Sequence, residues 1–286
     1  PDGEASDITD EVLRSFSKLS ERNVCELIKA SAKKWCVLDP LPTNVVCDSL
    51  DVLLPVITNM VNASLSTGHF PDNWKEAIIN PLFKKGAIDF AYKNLRPVNN
   101  LQFVSKITER AVFDQLYAHI MKNELFPELQ STYRKPNSTE TALVKIVNDI
   151  LLDMNRQHVS LLVLLDLSAA FDTVDHIILL HRLETSFGVT GDALKWIASY
   201  LSARSQRIMI NGILSDLICH LEFLKGHVSD HFCSLLMRAS CSRLSRIICI
   251  MLMRTLTTLS FICHSSQTVQ WVRRKQEVLW KDVSGP

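Results

Sequence analysis

With 286 residues, 47% hydrophobic and 21% charged, the chain has an ordinary soluble globular profile and can bury a sizeable core, as one large domain or two modest ones. Its formal net charge of +1 announces no nucleic-acid partner globally. The pairs Lys33–Lys34 and Lys84–Lys85 and the run Arg273–Arg274–Lys275 are of the length that usually lines a solvated face.

The eight cysteines form no CxxC pair and suggest no disulfide framework. His227, His231 and Cys233 lack the paired spacing of a zinc site. Near the C-terminus the longest apolar run, Ile247 to Met253, is too short to span a bilayer and is flanked by Arg246 and Arg254. The chain starts at Pro1 without a signal-peptide pattern and reads as a fragment of a longer product.

Residues 1–75 read as a helical lead-in. Ser20 is placed to cap a helix through Val24, Leu27 and Ile28 to Ala32. After the break at Asp39–Pro40–Leu41–Pro42, a second apolar helix runs through Val52, Val56 and Met60 to Leu65, with Gly68 as its stop. Ala77 to Phe83 reads as a strand followed by a basic turn, Lys84–Lys85–Gly86. Ser105 is the expected cap of a helix bearing Ile107, Val112, Leu116 and Ile120. Ser138 stands at the start of another, continuing through Leu143, Ile146 and Ile150.

The stretch Val159 to His176, VSLLVLLDLSAAFDTVDH, carries the chemistry. Its unbroken apolar run predicts a strand buried on both faces, ending in Asp166. An acid at such a strand end either caps the following turn or stands at the rim of a sheet, where active sites are built. A helix is expected from Ala169 to Phe187, closed by Gly188, and another from Asp192 to Leu201. Ser205 to Asp216 predicts a hairpin turning at Asn211–Gly212.

Six motifs in order raise this pattern above any one of them. They are LDPLPT (38–43), FPDNWKEAIINPLFKK (70–85), NLRPVNNLQFVSK (94–106), QSTYRKPNSTETAL (130–143), LLDLSAAFDTVDH (164–176) and YLSARSQRIMING (200–212). Over about residues 38–223 the chain resembles the reverse transcriptase domain of a LINE-type non-LTR retrotransposon. The resemblance implies an α+β chain with a right-hand polymerase fold. After the lead-in, residues 76–157 would be fingers, 158–223 a partial palm, and 224–286 a tail outside the native fold.

It further implies RNA-directed DNA polymerase activity on an RNA template and DNA primer, with Mg²⁺ as cofactor, inside the cell in cytoplasm or nucleus. No membrane or protein partner is implied. Asp166 falls on the first catalytic aspartate and metal ligand, Leu167 on a residue facing the triphosphate-side metal, and Phe171 on the residue under the nucleotide sugar. Arg96 and Arg134 match nucleotide-facing fingers positions, and Lys84 and Lys85 form a nucleic-acid-facing turn. Two-metal phosphoryl transfer needs several carboxylates converging on one point, because Mg²⁺ prefers oxygen ligands in near-octahedral geometry. Asp172 and Asp175, on the following helix, read as structural.

The family continues with a Gly-Val-Pro-Gln-Gly-Ser loop and a hairpin carrying Tyr-Ala-Asp-Asp; this chain has neither. After Glu222 its only acids are Asp230, Glu277 and Asp282. Both motifs are nevertheless compatible with its codons in an offset frame. Leu221 to Gly226, written TTG GAG TTC CTC AAG GGT, regroups to Gly-Val-Pro-Gln-Gly. Met253 to Ile262, written ATG CGT ACG CTG ACG ACA CTC AGC TTT ATT, regroups to Ala-Tyr-Ala-Asp-Asp-Thr-Gln-Leu-Tyr. A frameshift close to Leu221–Leu224, by loss of one copy of a GGAGTTC repeat, accounts for both. Three functions follow: an active polymerase, a non-catalytic relic that retains RNA binding, or an unstable fragment. Without the Asp-Asp pair, the expectation is a polymerase by family that is inactive as written, with its strand 159–165 lacking its usual neighbour.

Overall fold

The computed structural model describes residues 12–83, 94–126, 131, 134, 136–158, 161–166, 174–216, 218–219, 250–252 and 258–263. The chain divides into two compact units, 1–125 with 171–240, and 126–170 with 241–286.

In the first unit, α1 (Glu21–Ala30) starts where the sequence predicts. Ser20 accepts from the Asn23 amide at 3.2 Å, and Asn23 Oδ1 accepts from the Ser20 amide, closing a capping box. A short α2 (Thr43–Asp48) leads into α3 (Leu50–Thr67), which ends at Gly68 with φ +62°. Only a residue tolerant of left-handed backbone fits there, and a Cβ would also meet the Asp192 carbonyl oxygen at 2.9 Å.

The predicted strand is β1 (Glu76–Phe83), pairing antiparallel with β2 (Leu95–Asn100) and, over Glu76–Ile79, parallel with β4 (Ser205–Ile210). Pro81 lies beyond the part of β1 that β4 covers, where its missing N–H breaks no bond to that neighbour. Asn211 and Gly212, at φ +51° and +79°, join β4 to β5 (Ile213–Leu214) as predicted. β6 (Ile218–Cys219) pairs with the other end of β4.

Two helix starts differ from expectation. Ser105 does not cap: α4 runs from Phe103 to Lys122, and Ser105 is fully buried inside its first turn. Its cap comes from a distant residue. Asp39 accepts from the Phe103 amide at 2.7 Å with one carboxylate oxygen, and from the Cys36 amide at 2.9 Å with the other. The helix expected from Ala169 begins instead at His176, as α6 (His176–Thr185). The Asp175 carboxylate there accepts from the amides of Ile177 and Ile178. Asp175 is thus structural, as expected, but as a cap; Asp172 lies outside the described residues.

The core gathers on α7 (Gly191–Leu201). Phe70 makes edge contacts with Trp196 and Tyr200, at centroid distances of 5.3 and 5.0 Å, and those two rings stack on each other. The indole of Trp196 donates to Ser64 Oγ at 2.9 Å, so its polar edge is satisfied in the interior. Arg204 lies 4.3 Å from the Tyr200 ring centroid and donates to the Tyr200 carbonyl at 2.7 Å.

The second unit holds α5 (Thr139–Asn155) and a three-stranded antiparallel sheet ordered β3–β8–β7. Ser138 caps α5 in a second capping box, with Thr141. Ala142 and Ile146 form a small buried cluster with Ile150 against it. The sheet comprises β3 (Leu161–Asp166), β7 (Ile250–Leu252) and β8 (Thr258–Cys263).

The strand expected to lack its usual neighbour pairs, from Leu161 opposite Cys263 to Asp166 opposite Thr258, with a strand reading TLSFIC, which is without the expected acids. β8 is the partner of β3, and β7 pairs with the far side of β8. An apolar strand leaves a row of hydrogen-bonding groups at its edge, and TLSFIC, with its β-branched and aromatic residues, is competent to pair with them.

Candidate active-site strand

Asp166 is the last residue of β3, where sequence placed it. Antiparallel register sets Thr258 opposite Asp166 and Leu259 opposite Leu165. β8, beside β3, reads TLSFIC, and β7, beyond it, reads IML, so neither of the other strands of this sheet carries a carboxylate. Among the described residues no three His, Cys, Asp or Glu side chains are grouped to hold a metal ion.

The remaining predicted site residues divide by unit. In the second, the Arg134 guanidinium lies 6.0 Å from the Phe126 ring centroid, a cation–π contact at the limit of useful range. In the first, Arg96 stands in β2 opposite Leu82 of β1. Leu167, Phe171, Lys84 and Lys85 lie outside the described residues, as do His227, His231 and Cys233.

A two-metal centre does not fit the described residues. Each Mg²⁺ needs several hard oxygen ligands, whereas β3 ends in one acid and the sequence of its partner strand β8, TLSFIC, contains none. No catalytic step through a metal can be assigned to this arrangement.

Sequence reasoning missed a cavity of about 1340 Å³ in the first unit, bounded by α1, α4 and the β1–β2 ladder. Lys34, Trp35, Lys106 and Arg110 line it, balanced by Glu26, Glu109 and Asp114. Trp35 is 52% exposed, unusual for so large an apolar group. Lys106 donates to Asn100 Oδ1 at 2.7 Å, and burial pulls its ammonium pKa down. Burial likewise pushes the Cys36 thiol up, with its sulfur 3.5 Å from the Asn100 carbonyl oxygen. These contacts tie the Cys36–Asp39 turn to β2 and α4. None of the predicted site residues lines this cavity.

Residues 83–234, more than half the chain, match the family described as reverse transcriptase (RNA-dependent DNA polymerase). The chain belongs to that family.

Its relatives include the "RNA-directed DNA polymerase from mobile element jockey" of Drosophila melanogaster, 27% identical over 167 residues, covering 58% of this chain and 18% of that protein. The "Probable RNA-directed DNA polymerase from transposon X-element" of the same fly is 27% identical over 177 residues, 60% of this chain and 19% of the relative. The jockey polymerase of Drosophila funebris is 24% identical over 166 residues, 58% and 18% respectively. These matches bear out the resemblance to a LINE-type reverse transcriptase domain. The chain spans less than one fifth of the length of each of these curated relatives.

Proposed function

We propose that this chain is the fingers (76–157) and partial palm (158–223) of a non-LTR retrotransposon reverse transcriptase, unable to polymerise as written. Family membership supports the polymerase ancestry. The inactive reading rests on one observation: the strand paired with Asp166 carries no carboxylate, and Thr258 stands at its register partner. Phosphoryl transfer draws its rate from charge stabilisation at the attacking and leaving oxygens. Loss of the partner acids costs several kcal/mol of that stabilisation.

In this reading Asp166 is a catalytic residue by descent. Arg96, Arg134, Lys84 and Lys85 are proposed contacts to nucleic acid or the incoming nucleotide, and Leu167 and Phe171 complete the nucleotide side. RNA template and DNA primer are the proposed substrates of the ancestral activity, with Mg²⁺ as its metal.

Primer extension on an RNA template with Mg²⁺ tests the reading, together with RNA binding at two salt concentrations. The expected result is no incorporation, with any RNA affinity falling as salt rises. Template-dependent incorporation that vanishes in Asp166→Ala would overturn it.

A further inference from the structure

Residues 12–19 precede α1 as a strap with no helix of its own, outside the six sequence motifs and outside the family match. Its backbone is met at several points along its length. Leu13 forms a parallel bridge with Val189: its amide donates to the Gly188 carbonyl at 2.9 Å, and its carbonyl accepts from the Thr190 amide at 2.9 Å. The Arg14 carbonyl accepts from the Ala193 amide at 3.0 Å in the first turn of α7, a helix whose N-cap, Thr190, makes no side-chain cap hydrogen bond. On α4, Gln115 accepts from the Ser17 amide at 2.7 Å and donates to the Ser17 carbonyl at 3.1 Å. On α3, Asn62 does the same for Leu19, at 2.8 Å in both bonds.

These contacts read peptide groups rather than side chains. Arg14, Ser15, Ser17 and Lys18 are exposed. Within the strap only Phe16 is buried, at 4% exposure, with its ring edge-on to Trp196 at 5.9 Å. Gly191 leaves room for the strap: its φ is +55°, and a Cβ there would meet the Arg14 carbonyl oxygen at 2.8 Å. Main-chain hydrogen bonds for affinity, with a side-chain pocket for specificity, are how proteins hold extended peptides.

We propose that α3, α4, α7 and the 187–190 turn form a peptide-docking groove, whose occupant is the chain's own segment 13–19. The groove takes an extended peptide of any sequence that places an aromatic residue three positions after the one bridged to Val189. The docked strap completes the first turn of α7 and ties that helix to α3 and α4, joining parts of the first unit that are far apart in the chain. The proposal is independent of the reverse-transcriptase reading and of any chemistry at Asp166.

Tryptic cleavage of the full chain after Arg14 reads release of the strap, because cleavage of a held segment follows the population of its open form. Phe16→Ala and Gln115→Ala are each expected to speed that cleavage about tenfold or more, the effect of one lost apolar anchor or buried hydrogen bond. Ser15→Ala and Ser17→Ala change only exposed side chains and are expected to leave the rate unchanged. Acceleration by the two serine variants, none by Phe16→Ala, or equal acceleration at Lys122 on α4, which signals loss of the whole unit, overturns the proposal.

A labelled peptide of residues 12–19 supplies the second test. It is expected to bind saturably to the full Phe16→Ala chain, whose own strap is released, and not to the chain as written, whose groove is filled. The same peptide carrying Phe16→Ala is expected not to bind. Binding of both peptides to the Phe16→Ala chain, or of neither, overturns the docking groove.

Discussion

The phenol of Tyr200 on α7 donates to the buried carboxylate of Glu109 on α4 at 2.6 Å, joining two helices that lie 91 residues apart in sequence. A buried acid is tolerated only when donors satisfy it. Tyr200→Phe keeps the ring that stacks on Trp196 and removes the donor. It is expected to cost about 1.5–3 kcal/mol, the range for a hydrogen bond to a charged group. Urea unfolding of the two proteins checks this.

Asp39 supplies the α4 cap that Ser105 was expected to give, using both carboxylate oxygens on the amides of Phe103 and Cys36. Asp39→Ala should therefore destabilise the first unit by about 1–2 kcal/mol, while Ser105→Ala removes no cap. The difference between the two melting curves is the measurement.

Gly68 and Gly212 both have positive φ, but a Cβ at Gly68 meets the Asp192 carbonyl oxygen whereas one at Gly212 meets open space. Gly212→Ala should pay only backbone strain, about 1 kcal/mol. Gly68→Ala should cost clearly more, because backbone on both sides of the clash must shift. Thermal unfolding ranks them, and equal losses would refute the steric part of the argument.

The Ser138 side-chain hydrogen bond holds the Glu140 carboxyl below its ordinary value of 4.5. A depressed carboxyl contributes stability above its unfolded pKa, and that contribution is lost as pH falls through the lower folded value. Ser138→Ala should lose about 1 kcal/mol of helix cap at neutral pH. It should also bring Glu140 back toward 4.5 and flatten the stability slope below that pH. An NMR titration of Glu140 in both proteins reads the shift.

The start of α1, the glycine stop of α3, strand β1 and the Asn211–Gly212 hairpin were all legible in sequence. Each depends on residues within one turn or one strand of itself. Asp166 at a strand end was legible for the same reason. The α4 cap was not, because Asp39 reaches it across 64 residues. Nor was the start of α6, where a continuous helical pattern from Ala169 concealed a cap at Asp175.

Sequence alone determined the family, the place of Asp166 and the absence of an Asp-Asp pair, since motif order and residue identity are properties of the chain itself. Tertiary structure decided what stands opposite Asp166. Pairing β3 with β8 depends on hydrogen bonds between segments almost a hundred residues apart, and local pattern carries no register. That register turned a missing motif into a defined position: Thr258, beside an aspartate with no carboxylate partner on the adjoining strand.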